Sequence, residues 1–519
     1  MDSILILDFG SQTTQLIGRR IREIGVYSEI VPGDAKVGPL LKKEVRGVIL
    51  SGSPASVYDK DAPLVDPYIY ELPVPVLGIC YGAQRMVQDR GGRVSSLENR
   101  EYGRARIKFL EQSSLFSGLP EGFTSWMSHG DSIELLPGEF RTAAVTENGL
   151  PALVVHEQKR IMGLQFHPEV SHCEGGLQIL ENFALKICGA RRQWDMEAFL
   201  NKARTELQER VGSNKVLLLI SGGVDSTVTA ALLLKALPAD QVHLMYIDTG
   251  LMRLDESEEV AGTLQDLGAS HLYLIDAAGR FLAALEGVAD PEEKRKIIGD
   301  LFIRVQAEES AARGIEGPDR AFLAQGTLYT DMIESGKGVG SRAKVIKSHH
   351  NVGTPLVERK RAAGLVIEPL CSLYKDEVRN LGAMVGLSPE IIGRHPFPGP
   401  GLAVRILGPV TREKCDILRR ADAIYIGELK KRGLYNKIWQ AFCVLLSSRS
   451  VGVSGDVRRY GYVLALRAVV STDGMTADVF PFAGKELLEI SSAITNRVEE
   501  IGRVVYDISS KPPATIEWE

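Results

Sequence analysis

Cys80 closes the apolar run VPVLGIC and opens the helix-like stretch YGAQRMV. A thiol at such a strand-to-helix turn is held proud of the sheet, and a helix N-terminus favours its thiolate. A thiol nucleophile needs a base, and the base needs an orienting group. GLQFHPEV supplies both, as His167 and Glu169. On an extended segment two residues so spaced leave by one face, which lets Glu169 set the tautomer of His167. Acyl transfer also needs donors for an oxyanion. The turn SGSP (51–54) offers backbone N–H groups, as does Tyr81 after the cysteine. A cysteine after a strand is by itself usually a small buried hydrophobe, and HPE by itself a loop. Together, on one α/β pattern, they point to acyl transfer at a thiol. WMSHGD (126–131) adds His129 as a competing base.

A second constellation, SGGVDST (221–227), lies between VLLLI and VTAALLLKAL. Successive backbone N–H groups, the bare Gly222 and Gly223, and a helix N-terminus together cradle phosphate oxygens. Ser221, Ser226 and Thr227 add hydroxyls, and Asp225 a carboxylate for a metal. A Walker A loop needs GxxxxGK[ST]. Neither this segment nor ESGKGVGS (334–341), where Gly338 follows Lys337, has it. HPFPGPG (395–401) is a stiff turn able to bring N–H groups against phosphate. His349, His350 and His395 lack metal-ligand spacing with carboxylates.

The elements that must carry these residues are legible. ILILDFG, GVILSGSP and VPVLGIC are continuous apolar runs ending at glycines, as in a parallel sheet covered on both faces. QLIGRRIREIG between them has helical apolar spacing. A charged, Trp-containing stretch near 190–213 predicts a connecting helix. A second α/β series follows: VLLLI (216–220), VHLMYID (242–248), HLYLID (271–276) and AFLAQG (321–326). Beyond about residue 405 the pattern predicts a hairpin over 450–470, a helix over 485–502 and a strand over 503–509. The fold class is therefore α/β. Two parallel-sheet domains (1–190 and 191–404) precede a smaller α+β domain (405–519).

Composition narrows the function. The 519 residues carry 61 basic and 66 acidic side chains, a net charge of −5. A nucleic-acid or membrane-surface binder usually has a basic excess. No apolar run approaches the ~18 residues of a membrane helix, and MDSILILDFG has no leader pattern. Six cysteines (Cys80, Cys173, Cys188, Cys371, Cys415, Cys443) show no metal spacing, as expected of reduced thiols in the cytoplasm. The 52 glycines exceed the usual ~7% share, and several stand at strand ends.

Residues 1–190 resemble the triad-type, class I glutamine amidotransferases. The resemblance implies that Cys80 forms a glutamyl thioester and that His167 and Glu169 complete the triad. Gly52, Ser53, Tyr81 and Gln84 would then form the oxyanion and glutamine site; Ser53 stands where that family usually has Gly. SGGVDST resembles the loop of PP-loop ATP pyrophosphatases, which cleave between the α- and β-phosphates. Ser221, Gly222, Gly223, Val224, Asp225 and Ser226 would hold pyrophosphate. Asp248, in IDTGL, would edge the nucleotide pocket, with Thr249 where Asn is usual. Mg²⁺, held through Asp225, is expected because pyrophosphate leaves poorly unless its charge is neutralised. A chain with both sites is a glutamine-dependent amidase of an oxygen activated by adenylylation, with a shielded path for ammonia.

DPEEKRKIIGDLFIRV (290–305), AQGTLYTDMIES (324–335), VIKSHHNVG (345–353), EPLCSLYKDEVR (368–379), HPFPGPGLAVR (395–405) and SKPPATIEWE (510–519) resemble the glutamine-hydrolysing GMP synthetases. The likeness runs over nearly the whole chain in the same order. It implies xanthosine 5′-monophosphate (XMP) as acceptor, GMP as product, ATP and Mg²⁺, and a homodimer through 405–519. Lys375 and Asp376 would reach ATP from a lid that also includes SHHNVG. Arg295, Lys511 and Glu517 would contact XMP; Arg295 reads equally as a surface ion pair, and Lys344 and Lys347 as solvated charges. Departures are Thr330, where Pro is usual, the 354–364 segment, and VSGDVRRY. Two other readings compete: another PP-loop amidating ligase, such as an NAD-synthesis or RNA-thiolation enzyme, and a scaffold that has lost activity. The scaffold should lack Cys80, His167 or the SGGVDS residues, and all are present.

Overall fold

The computed structural model describes all residues except 12, 41–43, 171, 316–320, 330, 332–354, 455–456 and 472–475, and the side chains of 96–102, 128–129, 355–356, 358–359, 454 and 457. Thr330, Lys337, Lys344, Lys347, His349, His350 and the side chain of His129 lie outside the described residues. The chain divides into two compact units. One is Met1–Phe199; the other joins Leu200–Tyr329 to the described part of 349–519.

In the first unit the apolar runs form β1 (Ser3–Asp8), β2 (Tyr27–Pro32), β3 (Val45–Leu50) and β4 (Val76–Ile79). β5 (Arg93–Phe109), β6 (Thr124–Leu135), β7 (Arg141–Thr146), β8 (Pro151–His156) and β9 (Ile161–Leu164) follow. The nine strands are ordered β2-β1-β3-β4-β9-β8-β7-β5-β6. The first five pair in parallel and the rest antiparallel. Strand β4 is buried throughout, which is why its sequence has no polar alternation. Helix α1 (Thr14–Glu23) turns Ile17 and Ile21 into the core, and α2 (Tyr81–Asp89) starts directly after Cys80.

The expected connecting helix is α3 (Met196–Val211). The second unit contains a parallel sheet ordered β12-β11-β10-β13-β14. Its strands are β10 (Lys215–Ile220), β11 (Val242–Asp248), β12 (His271–Asp276), β13 (Ala321–Ala324) and β14 (Val366–Ile367). Helices α4 (Val224–Ala236), α5 (Pro291–Ala312) and α6 (Lys375–Met384) accompany it. Chain order reverses direction at β10, since β11 lies on one side and β13 on the other. That is a topological switch point, where ligands bind at the carboxyl ends of α/β strands.

The expected hairpin is longer than its sequence cue: β15 spans Gln440–Ser454 and β16 spans Val457–Val470. β17 (Asp478–Val479) and β18 (Ile501–Tyr506) both pair with β16. Helix α7 (Gly484–Thr495) ends earlier than the sequence predicts. Val498 and Ile501 continue its apolar spacing, but they reach the core from the turn and strand that follow. Periodicity cannot separate those two routes to burial. One hydrophobic core runs from Leu217 and Met245 of the parallel sheet, through Leu402 and Leu418, to Leu464 and Ile494. The expected division between 404 and 405 falls inside a fully buried 3-10 turn, Gly401–Arg405.

Candidate functional site

The first cluster assembles from loops after β3, β4 and β9, three neighbours in one sheet. Cys80 caps α2 with φ 51° and ψ −108°, a strained turn of the kind that presents a nucleophile. Glycines make that turn possible. A Cβ on Gly78 would lie 2.6 Å from the Ala83 nitrogen, and one on Gly82 would lie 2.4 Å from the Leu50 carbonyl oxygen. Backbone bonds from Cys80 N to Leu164 O (2.7 Å) and from Gly82 N to Ser51 O (3.0 Å) tie the elbow to both neighbouring strand ends.

His167 Nδ1 lies 2.7 Å from Glu169 Oε1, and the carboxylate has no solvent exposure. The segment is a turn, not the extended stretch expected. The pairing survives because both residues are anchored separately. His167 N donates to Trp126 O at 3.2 Å, and Arg20 Nε donates to Glu169 O at 3.1 Å. Burial alone lowers the imidazole pKa. The Glu169 charge and hydrogen bonds with Cys80 and Glu169 outweigh it, so His167 titrates well above the ordinary histidine value. The cluster therefore contains a thiol hydrogen-bonded to an imidazole that a buried carboxylate orients.

Gly52 borders the same imidazole: a Cβ there would lie 3.2 Å from His167 Cε1. Ser53 Oγ accepts from Ala55 N at 3.2 Å, which stabilises its own turn. Tyr81 is buried, with its hydroxyl donating to Pro63 O, and its N–H is at the first turn of α2, where amides have no intrahelical partner. Gln84 Nε2 donates to Asp131 O at 2.8 Å, joining α2 to β6.

The second cluster sits at the carboxyl end of β10. Gly222 has φ +78° and Gly223 caps α4 in extended conformation. The hydroxyls expected to face phosphate bond the loop itself. Ser226 Oγ donates to Gly223 O (3.1 Å), Thr227 Oγ1 donates to the same oxygen (2.9 Å), and Ser221 Oγ lies 3.1 Å from Ser226 Oγ. That bracing fixes a nest whose donors are backbone N–H groups. After β13, Gly326 packs on it; a Cβ there would lie 3.2 Å from Asp225 C and Ser226 N.

Lys375 Nζ donates to both Asp225 oxygens, at 2.6 and 2.7 Å. Lys375 and Asp376 open a helix, α6, whose Glu377 caps Tyr374 N at 2.9 Å. This helix is docked: a Cβ on Gly382 would lie 3.0 Å from Val228 Cγ2 of α4. The pair is half-exposed, so it is worth under ~1 kcal/mol and yields readily to a phosphate or cation. Asp248 ends β11, and its oxygens accept from Gly250 N and Ser257 Oγ, both at 2.8 Å.

The third cluster gathers the C-terminal tail. Arg405 Nη2 donates to Glu517 Oε1 at 2.8 Å, and Gln440 Nε2 donates to the same oxygen at 2.7 Å. Lys511 exchanges backbone bonds with Ala477. Arg295 pairs with Glu292 one turn away on α5. His395 in HPFPGPG is a latch: Nδ1 accepts from Ala441 N at 3.1 Å, so the ring proton is on Nε2, 3.0 Å from Tyr435 O. The Gly401 end of that turn packs on the Leu251 carbonyl.

Three family models match in chain order: Glutamine amidotransferase class-I over 5–187, NAD synthase over 196–293 and GMP synthase C terminal domain over 427–518. The GMP synthase [glutamine-hydrolyzing] of Aquifex aeolicus is 51% identical over 516 residues, 99% of each chain. That of Phenylobacterium zucineum is 50% identical over 521 residues, 100% of this chain and 99% of its own. The chain belongs to the glutamine-hydrolysing GMP synthase family. It is accordingly an ATP-using ligase of purine nucleotide biosynthesis that makes GMP with glutamine nitrogen. The NAD synthase match covers the PP-loop segment, while the GMP synthase C terminal domain match covers the third cluster's tail.

Among residues typical of neither motif, the sequence gives no sign of Arg394, Gln440, Arg405, Arg467 and Lys294. Arg394 donates to Gly222 O at 3.3 Å, a cation on the PP-loop backbone. The other four surround the tail. No local signal marks them, because a charged residue in a helix or strand is ordinarily solvated.

Proposed function

We propose that Cys80, His167 and Glu169 hydrolyse glutamine, and that the Ser221–Ser226 loop with Asp225, Asp248, Lys375 and Asp376 binds ATP. The sulfur attacks the glutamine amide carbon. His167 delivers the proton with which nitrogen leaves as ammonia, and Glu169 holds the imidazolium in place. Backbone N–H groups of Gly52 and Tyr81 receive the oxyanion, with Ser53 and Gln84 shaping the glutamine pocket. Water then cleaves the thioester to glutamate. At the second site an XMP oxygen attacks the α-phosphorus of ATP, pyrophosphate leaves into the SGGVDS nest, and ammonia displaces AMP to give GMP. Arg295, Lys511 and Glu517 contact XMP.

Mg²⁺ fits Asp225. A hard cation of this size takes one or two carboxylates plus substrate phosphates, and among the described residues no group of three or more His, Cys, Asp or Glu is placed to hold a metal without them. It would neutralise pyrophosphate charge. We assign 1–190 to the glutaminase, 191–404 to the ATP site and 405–519 to dimerisation and XMP binding, in a cytoplasmic homodimer that engages neither nucleic acid nor membrane. Exposed Val451, Val453 and Tyr460 on the hairpin support the dimer face; light scattering giving a monomer mass would refute it.

The observation that carries the glutaminase half is the His167–Glu169 contact at 2.7 Å beneath the Cys80 elbow. Cys80→Ala should abolish GMP formation from XMP, ATP and glutamine while sparing the reaction with high ammonium, as read by chromatography of GMP. Retained glutamine-dependent turnover would end the triad assignment.

A further inference from the structure

From Asp507 to Glu519 the chain has no helix and a single bridging residue, Lys511. An irregular stretch of that kind ordinarily frays. This one is pinned by three cations with no solvent exposure: Arg467, Arg405 and Lys294. Arg467 donates to the carbonyls of Ser509 (2.5 Å) and Thr515 (3.2 Å). Ile516 enters an apolar cluster with Phe442 and Val469. Glu517 receives Arg405 and Gln440. Trp518 turns outward and donates to Asp507 Oδ2 at 2.9 Å.

Lys294 is the least expected member. It lies on α5, beside Arg295. Its Nζ donates to Ala403 O at 3.1 Å, Ile406 O at 2.7 Å and Glu519 Oε2 at 2.5 Å. An ammonium has three donors, and all three are used. Two acceptors are carbonyls at the end of the 3-10 turn that carries Arg405. The third is the side chain two residues beyond Glu517. One buried charge thus holds the backbone under Arg405 and the tail that presents Glu517, the two halves of one ion pair.

We infer that Lys294, with Glu519, is a positioning residue for the acceptor-nucleotide site. The desolvation cost of a buried ion pair offsets most of its Coulombic gain. What Lys294 adds is a unique placement of the tail: without it, Glu517 keeps its partners' chemistry and loses their fixed position. This rests on the reading that Glu517 contacts XMP.

The test is steady-state GMP formation by the full chain with ammonium as nitrogen source, so that the glutaminase unit plays no part. Lys294→Met, Glu519→Gln and Glu517→Gln are compared, varying XMP and ATP separately. Lys294→Met and Glu519→Gln should each raise the KM for XMP by about tenfold, the size of one lost oriented contact, and leave the KM for ATP within about twofold. The double variant Lys294→Met/Glu519→Met should recover thermal stability lost in Lys294→Met but not XMP affinity. Glu519→Gln gives the reading even where Lys294→Met does not fold. Unchanged KM for XMP, or equal shifts for XMP and ATP, overturns the inference while leaving Glu517 in place if Glu517→Gln itself raises the KM for XMP. An unchanged KM in Glu517→Gln defeats the site reading and the inference together.

Discussion

At the scale of single residues, the proposed glutaminase chemistry depends on one buried carboxylate. Glu169 has no exposure and faces the His167 ring. In Glu169→Gln the burial that depresses the imidazole pKa stays while the charge that raises it goes. His167 should then titrate lower than in the parent, as followed by NMR of the ring nitrogens. Glutamine-dependent turnover should fall by about 10²–10⁴, the range seen when a general base loses its orienting group. Ammonium-dependent synthesis should be unaffected. The raised pKa also sets a pH trend: the His167–Glu169 contribution to stability is full below the unfolded value near 6.5 and is lost as pH rises through the folded one. The His167–Glu169 pairing was legible in sequence because the two residues are two apart; Cys80 was tied to them only by its strand-to-helix turn and the family resemblance. The geometry of the pair was misread, since a turn anchored by Trp126 and Arg20 replaces the extended segment.

At the scale of elements, strand ends and helix starts do the positioning. The β4–Cys80–α2 elbow works because Gly78 and Gly82 let helix backbone approach the neighbouring strand. Gly82→Ala places a methyl group 2.4 Å from a carbonyl oxygen, which only a backbone shift can relieve. Overpacking of that kind should cost about 1–3 kcal/mol or more, measured as a lower midpoint of thermal unfolding, and should reduce glutaminase activity with it. The PP-loop behaves alike. Its hydroxyls brace the loop and its glycines expose amides, so the motif encodes a rigid nest more than a ring of hydroxyl ligands. The family resemblance alone implied that Lys375 reaches ATP. Its contact with Asp225 was not legible, because 150 residues separate them.

At the scale of the whole molecule, the parallel sheet and the C-terminal α+β region share one core, from Leu217 to Ile501. The change of pattern near residue 405 marks a change of architecture without a gap in packing. A chain ending at Val404 should therefore lose the second unit's cooperative unfolding and its adenylylating activity. It should keep glutaminase-unit secondary structure, as read by calorimetry and circular dichroism. A fragment that unfolds with the parent's full set of transitions would contradict the shared core.

What the sequence alone determined is whatever has a local signature. Apolar runs ending at glycine gave parallel strands, and SGGVDST gave a phosphate nest. Cys80 with His167 and Glu169 pointed to the acyl-transfer triad proposed above. What only the tertiary structure decided is where charge is buried. Lys294 reaches Glu519 across 225 residues, and Arg405 reaches Glu517 across 112. A lysine or arginine in a helix or turn is solvated by default. Only the partners that folding brings to it, through the shared core, can offset its desolvation and turn it into part of a site.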